Sequence, residues 1–385
     1  MIQLLRTLKW RRLSRSDVLI VDSIGAQWLE RCIPNEFQTH VLDIREHILL
    51  IDIGFFLRLI WYCIYRPLTH SGRLGGAWLS ALINSISPRL VVSFADNNKV
   101  LAHYASANAK VPVIFIQNAL RGTAGSITPE QDLPHYLAFG EVEKELFTAL
   151  SVKCEKYQPV GSLKLGFALV EHRSNRSNIF DMAFISHYRP EMESPSSTPI
   201  EKQVKNCQSR LFSLLCGYSA QRQFSTVVIL KTRDKHSQQK EKDYFIRHAG
   251  GHELRFVTAD KSHRELDSYH AGLSSTVIVH PGSTLGFELF AAGKKVLFGA
   301  GIDANLISTW GVELYFQRLP EVVRLPLECN QREFDRYCDE LRAMSDEEYS
   351  SETADIARSI IAMPTNEQPH TRVKEIISGL LDPSI

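Results

Sequence analysis

The sequence has almost no net charge, no ordered cysteine pattern and no uninterrupted apolar segment of membrane-spanning length. Its 44 basic and 43 acidic residues give a formal net charge of +1, which provides no electrostatic reason to expect a nucleic acid partner. The seven cysteines are scattered and include no C-x-x-C pair. This argues against a disulfide framework or a cysteine-based zinc site and fits a reducing cytoplasm. The 14 histidines show no metal-ligand spacing, so we expect no bound metal.

Several common catalytic signatures are absent as well. The chain contains no G-x-S-x-G, no P-loop and no H-E-x-x-H motif, which disfavours serine hydrolases, P-loop enzymes and zinc peptidases. A G-x-G-x-x-G fingerprint is missing too, which disfavours a dinucleotide-dependent oxidoreductase. Functional residues therefore have to be sought at the ends of predicted strands.

Short apolar runs alternate with helical segments along the whole chain, which predicts an α/β fold with parallel sheets. The length of 385 residues suits two domains, and 44% hydrophobic with 23% charged residues is typical of a globular protein. A polar stretch at 171–178 follows the turn at 160–162 and marks the predicted boundary between a domain at 17–170 and one at 178–345. The predicted strands lie at 17–22, 39–44, 90–94, 111–116, 136–139, 180–185, 226–230, 254–257 and 276–279.

Two early stretches allow a membrane-surface interpretation, and each has a plainer alternative. Residues 1–16 contain five basic residues and no acid, interspersed with leucines, as in a short helix on an anionic membrane; a frayed basic segment is the alternative. No uninterrupted apolar run follows, so we expect no secretory signal. Residues 48–65 are the most hydrophobic segment, but Asp52 and Arg58 interrupt them. We therefore predict a buried helix, or one whose aromatic face touches lipid, rather than a membrane span.

Residues 276–299 form the most informative stretch. A β-branched run precedes a polar corner at 280–284, an apolar segment, a stop at Gly293 and another strand, as in a βαβ unit. Ligands bind beyond the carboxyl ends of such strands. Ser283 or Thr284 can cap the helix, and its first N–H groups can bind a phosphate. Glu288 lies about one turn further on, within reach of ribose hydroxyls; an ordinary capped corner with a solvated Glu288 is the alternative.

Three predicted strand ends of the second half carry cationic or titratable groups. Such groups suit a nucleotide, because Arg and Lys can neutralise the charge that develops on a leaving phosphate. A solvated basic rim is the alternative interpretation. The predicted nucleotide-binding residues are His280, Pro281, Gly282, Ser283, Thr284, Glu288, Lys231, Arg233, Ser186, His187 and Arg189.

The strand ends of the first half carry acids and amides instead. Asp96 ends a strongly apolar run, so we expect it to point at the cleft without being buried and to act as a base toward an acceptor hydroxyl. The alternative is that Asp96 only caps the following helix, and Asp22 is the second candidate base. The predicted acceptor-binding residues are Asn97, Gln117, Asn118 and Arg121.

Together these motifs resemble the GT-B glycosyltransferases of bacterial surface polysaccharide assembly. The H-P corner followed by Ser/Thr and a Glu looks like the nucleotide site of enzymes that use CMP-sugars, the sialyltransferases and Kdo transferases. The series D-N, Q-N-x-x-R-G, S-x-Y-R and H-P-G-S-T-x-G-x-E resembles related surface carbohydrate biosynthesis proteins over most of residues 17–300. The acidic Asp/Glu-Asp/Glu-Gly motif that supplies the base in sialyltransferases is not found in this sequence.

The resemblance implies a metal-independent enzyme without cofactors, built from two Rossmann-like domains that face each other across a cleft. It would move a sugar from a nucleotide-sugar, CMP-linked by preference, to a glycan or lipid-linked acceptor at the inner face of a membrane. It also implies that the helices of residues 346–385 pack back on the first domain.

Three alternatives stay open. One is a CDP-glycerol-type phosphotransferase, as in wall teichoic acid polymerases; these share the Ser/Thr-rich corner, but this chain has H-P-G where they carry an acid. Another is a non-catalytic GT-B scaffold that partners an active transferase. A nucleotide-sugar epimerase is disfavoured, because it would need several acids and a His in one half of the cleft.

Overall fold

Two parallel sheets, each covered by helices, make up the computed structural model. It describes residues 14–43, 53–65, 73–107, 110–123, 132–172, 179–232, 234–258, 266–299, 307–308, 311–363 and 367–382. The predictions for residues 1–13, for residues 48–52 and for Arg233 lie outside the described residues.

The first half contains a six-stranded sheet. Its strands are β1 (Val18–Val21), β2 (Thr39–Leu42), β3 (Leu90–Ser93), β4 (Val113–Ile116), β5 (Asp132–Ala138) and β6 (Lys153–Pro159), in the spatial order β2-β1-β3-β4-β5-β6. Strands β1, β3 and β4 are buried throughout, as expected for apolar strands of a parallel sheet covered on both faces. The connecting helices are α1 (Ala26–Glu30), α2 (Ile53–Tyr65), α3 (Arg73–Ile86), α4 (Lys99–Ala107), α5 (Val142–Ala149) and α6 (Leu163–His172).

The second half contains a five-stranded sheet. Its strands are β7 (Phe180–Ile185), β8 (Thr226–Leu230), β9 (Leu254–Thr258), β10 (Ser275–His280) and β11 (Lys295–Phe298), in the order β11-β10-β7-β8-β9. The helices are α7 (Pro199–Arg222), α8 (Lys235–His248), α9 (Asp267–Leu273), α10 (Thr284–Ala291), α11 (Glu313–Phe316), α12 (Gln331–Ala343), α13 (Asp346–Ile360) and α14 (Pro369–Leu381), with 3₁₀ turns at Pro190–Glu193 and Glu321–Val323. The predicted α/β class with two parallel sheets is confirmed.

The last two helices return to the first half of the chain. The N–H of Ala362 donates to the carbonyl of Phe139 over 2.7 Å, and the N–H of Glu141 donates to that of Ser359 over 2.9 Å. On α14, the His370 ring stacks on Phe167 of α6 with 4.4 Å between ring centroids. Backbone bonds and ring stacking thus join Ser359, Ala362 and His370 to the segment just before α5 and to α6.

The hydrophobic helix α2 is only half buried, so the first of the two alternatives, a buried helix, is wrong, and the alternative of a face that touches lipid stays a prediction. Phe55 is 1% exposed and, with Leu59 and Tyr62, packs into the core beside α3. The opposite face exposes Leu57 and Trp61. None of the helices in the described ranges is long and apolar enough to span a membrane.

Candidate functional site

The corner after β10 is built around His280, whose ring lies inside the fold. Its Nδ1 accepts the Ser283 N–H over 2.9 Å, and the ring packs edge-on against Phe298 with 4.7 Å between centroids. A Cβ on Gly286 would come within 2.2 Å of Nε2, so the ring fills the space that this glycine leaves. Burial lowers the pKa of His280 to about 3, so the imidazole is neutral. In this conformation the ring shapes the corner from behind, and the prediction that His280 contributes to nucleotide binding stays a prediction.

The rest of the corner is placed as a phosphate site requires. Pro281 is buried, while Gly282, Ser283 and Thr284 are partly exposed at the first turn of α10. Ser283 occupies the N-cap position with an extended backbone, and its carbonyl accepts the Gly286 N–H over 3.0 Å. The N–H groups of Thr284 and Leu285, which have no acceptor within the helix, lie beside it. Thr284 Oγ1 accepts the N–H of Leu120 over 3.2 Å and so ties this corner to the first half.

Glu288 is turned away from solvent. Its carboxylate accepts hydrogen bonds from the Tyr269 hydroxyl over 2.9 Å and from Ser162 Oγ. Burial raises the pKa of Glu288 to about 7. The expectation of a ribose contact remains untested, but in this conformation the carboxylate is engaged between α9 and the start of α6.

A cavity of about 190 Å³ opens beside the corner, at the carboxyl ends of β7 and β8. It brings together three of the predicted residues, Ser186, Lys231 and Ser283, and adds Lys164 and Tyr269, which sequence reasoning missed. Lys164 comes from α6, so the first half contributes a cation to the cavity. No sequence signal distinguished it from the other surface lysines.

Positive groups crowd the mouth of this cavity. The side chain of Lys231 is exposed, but many protein atoms lie around it. Because the ammonium is therefore poorly solvated, and because the charge of Arg189 acts on it, the pKa of Lys231 is lowered to about 8. Burial is the main reason why the pKa of His187 lies well below its usual value, and the charges of Lys231 and Arg189 lower it further. Cations that destabilise one another in this way are relieved by a bound anion.

A buried carboxylate, Glu241 of α8, organises the strand ends below these cations. It accepts the N–H groups of Lys231 over 3.0 Å and of Thr232 over 2.9 Å. The hydroxyl of Ser186 also donates to Glu241, and its oxygen accepts the Tyr188 N–H over 3.0 Å. Ser186 is 2% exposed, so its hydroxyl serves the fold and is not free to bind a nucleotide as predicted.

Asp96 lies at the end of β3 but is not exposed, contrary to expectation. Its carboxylate is fully buried and forms a bidentate pair with Arg121, whose Nε donates over 2.8 Å. The Tyr136 hydroxyl also donates to Asp96 over 2.8 Å. Asn98, not Asp96, caps α4, because its side chain accepts the Leu101 N–H over 3.1 Å. Asp96 is therefore neither a helix cap nor a solvent-facing base in this conformation.

The predicted acceptor-binding amides are mostly engaged in the same way. Gln117 is 1% exposed and donates to the Ala119 carbonyl over 2.9 Å. Asn118 accepts from Arg121 over 2.9 Å, and only Asn97 is exposed. Asp22, the second candidate base, is also buried; it has a left-handed backbone with φ 83° and accepts the Ile24 N–H over 3.1 Å.

Glu143, at the start of α5, links this network to the second half. Its Oε1 accepts the Arg121 N–H over 3.1 Å and the Tyr315 hydroxyl over 2.9 Å. The Tyr315 hydroxyl also lies 2.8 Å from the Arg121 carbonyl oxygen, so α11 contacts the loop after β4. Burial raises the pKa of Glu143 to about 8. Sequence reasoning missed both residues.

The arrangement is suited to holding an anion rather than a metal ion. Cations and a helix N-terminus face the cavity, while the nearby acids Glu241, Glu288 and Asp96 are buried and paired. Within the described ranges, no group of three or more His, Cys, Asp or Glu side chains is placed to hold a metal.

Residues 114–304, just under half of the chain, match the model of a family described as "putative O-antigen biosynthesis protein". The matched region contains the corner, the cavity and the Gln117–Arg121 loop. No curated protein matches the sequence significantly.

Solved structures resemble the chain over almost its full length. The UDP-GlcNAc 2-epimerase of Methanocaldococcus jannaschii, in complex with UDP-GlcNAc and UDP, aligns with a TM-score of 0.53 at 12% identity and covers 96% of this chain and 99% of its own. The Neisseria meningitidis UDP-GlcNAc 2-epimerase bound to UDP-GlcNAc aligns at 0.51 and 14% identity, covering 96% and 99%. A variant of the wall teichoic acid polymerase TagF aligns at 0.55 and 10% identity, covering 97% and 90%. The chain therefore has the GT-B fold, as its motifs predicted.

Proposed function

We propose that the protein is a GT-B transferase of surface polysaccharide biosynthesis that binds a nucleotide-activated donor in the cavity beside the β10–α10 corner. The observation that carries this proposal is the convergence of Lys231 and Lys164 with the first turn of α10 around one cavity, with the charge of Arg189 acting on Lys231. Phosphate groups suit both the cations and the unpaired N–H groups. The family match over residues 114–304 supports a place in O-antigen assembly.

The donor we favour is a CMP-sugar, and the acceptor a glycan or lipid-linked glycan. The H-P-G-S-T corner supports the CMP preference, with the qualification that His280 acts by shaping the corner. We assign Asp96 a positioning role, in which it holds the Arg121 loop at the edge of the cleft. The transfer needs no metal in this proposal, because Lys231 and Arg189 neutralise the leaving phosphate.

A second candidate is a CDP-glycerol-type phosphotransferase. The same cations would serve the diphosphate of CDP-glycerol, and one similar fold is that of a wall teichoic acid polymerase. A non-catalytic scaffold is a third candidate. It is favoured by the burial of both predicted bases, Asp96 and Asp22.

A thermal-shift screen with CMP, CDP, UDP, GDP and their sugar or glycerol conjugates tests the proposal. A ligand at 100 times its Kd stabilises the native state by about 2.7 kcal/mol. We expect cytidine nucleotides to stabilise the wild type. Replacement of one charged hydrogen-bonding group loses about 1.5–3 kcal/mol, so Lys231→Ala should weaken binding roughly 10- to 100-fold. Lys240→Ala, an exposed lysine on α8, is the matched control.

The possible outcomes separate the alternatives. Stabilisation by no nucleotide, or equal affinity in the wild type and Lys231→Ala, would contradict the proposed site. Binding of CDP-glycerol but of no CMP-sugar would favour the phosphotransferase. Conversion of a nucleotide-sugar without any acceptor, followed by NMR, would indicate an epimerase. Tight donor binding without turnover on any acceptor would favour the non-catalytic scaffold.

A further inference from the structure

The surface of helix α2 carries a contiguous apolar face. Leu57, Ile60 and Trp61 are 63%, 52% and 57% exposed, and their spacing of three and four residues places them side by side. The opposite side of the same helix, with Phe55 and Leu59, is packed on α3. A helix that is apolar all round is normally buried, yet the described chain covers only one side of this one.

The arrangement differs from that of the other exposed apolar residues. Each of these stands alone in its helix or loop, as is normal for a protein surface. In the described ranges they are Ile24, Val170, Ile179, Ile200, Ile246 and Leu327. Several large apolar side chains on one surface mark an interaction site instead.

Basic residues lie at the edge of the molecule next to this face. The Arg58 guanidinium donates to the Asn84 carbonyl over 3.0 Å and to Ser85 Oγ over 2.8 Å, so the middle of α2 lies at the carboxyl end of α3. Arg89 lies just after the end of α3, and its N–H donates to the Asp17 carbonyl over 2.8 Å. This bond brings residues 14–17 to the same edge. Arg15 is exposed there.

We propose that the Leu57/Ile60/Trp61 face of α2, together with the basic residues of this edge, docks on an anionic lipid bilayer. Apolar side chains including a tryptophan, flanked by Lys and Arg, are the chemistry of an interfacial membrane contact. The basic residues attract acidic headgroups while the apolar side chains enter the boundary with the acyl chains. In a symmetric pair of copies, by contrast, the same patch meets itself and its basic residues repel one another. The inference goes beyond the proposed function, because it requires no particular donor.

Cosedimentation of the full chain with vesicles tests the docking surface. One set of vesicles is phosphatidylcholine alone, and the other contains added phosphatidylglycerol. We expect binding to the anionic vesicles, weakened by salt. Leu57→Ser/Trp61→Ser should bind at least about 10-fold more weakly, because it removes two exposed apolar side chains that become buried in the bilayer on docking. Arg15→Gln should weaken binding about 5-fold, at about 1 kcal/mol for one basic residue near the surface.

The control Ile246→Ser replaces an exposed isoleucine of α8 and should bind like the wild type. Unchanged sedimentation of both test variants would overturn the proposal. So would a concentration-dependent dimer that Leu57→Ser/Trp61→Ser abolishes, combined with no vesicle binding, since the face would then join two copies. Circular dichroism checks folding, and Ile60→Ser is the reserve variant. Nucleotide stabilisation, measured on the same samples, separates failure of this surface from failure of the donor site.

Discussion

At the scale of single residues, the candidate site depends on cations whose charges act on one another. Lys231 has its pKa lowered to about 8 because it is poorly solvated and faces Arg189. Its ammonium is therefore close to losing its proton at the upper end of the physiological range. An anion bound beside it would favour the charged form, so ligand binding and protonation of Lys231 are linked.

This linkage predicts a pH dependence of nucleotide binding. Below pH 8 Lys231 is protonated in the free protein and can pair with phosphate; as the pH rises through about 8 it loses its proton, so affinity should fall. Lys231→Arg keeps the charge at every accessible pH, and its affinity should stay level across the same range. Isothermal titration at pH 6.5 to 9.5, with CMP or CDP as ligand, measures both profiles. Parallel profiles in the two proteins would show that Lys231 is not the titrating group.

The buried acids show why residue roles were harder to predict than residue positions. Glu241 lies in the polar stretch Lys235–His248, where a solvated and a buried glutamate look identical in sequence. Asp96 was predicted to follow β3 and Arg121 to lie in the loop after β4, and both do. Their pairing across 25 residues depends on the register of neighbouring strands β3 and β4, which local patterns do not specify.

At the scale of elements, the β10–α10 unit was the most predictable part of the chain. Its β-branched strand, polar corner and glycine stop all occur close to the predicted residues, but the side chain of the N-cap residue Ser283 forms no capping hydrogen bond. Strand β6 was missed, because it is a polar sheet edge of sequence KCEKYQP and not an apolar run. Helix α6, which follows it, was missed for a different reason: the turn and polar stretch around it were interpreted as a linker between domains.

The packing of His280 against Gly286 gives a test of the corner. Gly286→Ala places a methyl group 2.2 Å from Nε2 and should destabilise the protein by about 1–3 kcal/mol. His280→Ala removes a buried ring and the acceptor for Ser283, at a loss of about 2–5 kcal/mol. In the double variant the new methyl group enters the space left by the ring. Its destabilisation should therefore be smaller than the sum of the two single values.

Urea unfolding of the four proteins measures this coupling. Gly379→Ala is the control, because a Cβ at that helical position meets no atom within 4 Å and alanine favours a helix. Strictly additive single and double variants would show that the ring and the glycine do not share one space. Weaker nucleotide binding by a stably folded His280→Ala protein would show that the ring is needed to shape the corner for the ligand.

At the scale of the whole molecule, alternation of strands and helices sufficed to predict two parallel sheets, whereas the GT-B fold was predicted from the resemblance of the motifs to a known family. It did not predict how the halves contact each other, because those contacts come from irregular segments. The N–H of Thr123, for example, donates to the Gly311 carbonyl over 3.0 Å. Arg318 pairs with Glu145 at an exposed position, where an ion pair contributes little. The buried link through Tyr315 is therefore the stronger candidate for holding the cleft.

Tyr315→Phe tests that link. The variant keeps the ring but removes the hydroxyl that contacts the Arg121 carbonyl and Glu143, which leaves buried acceptors with one donor fewer. We expect a destabilisation of about 1–3 kcal/mol and faster amide hydrogen exchange in residues 118–123 and 311–318. Tyr349→Phe is the matched control, because its buried hydroxyl donates to the Lys294 carbonyl over 2.8 Å, away from the contact between the halves. If both variants exchange equally in residues 118–123, Tyr315 does not couple the halves. If only Tyr315→Phe speeds exchange there, the loop that carries Arg121 is held in place from the opposite half of the molecule.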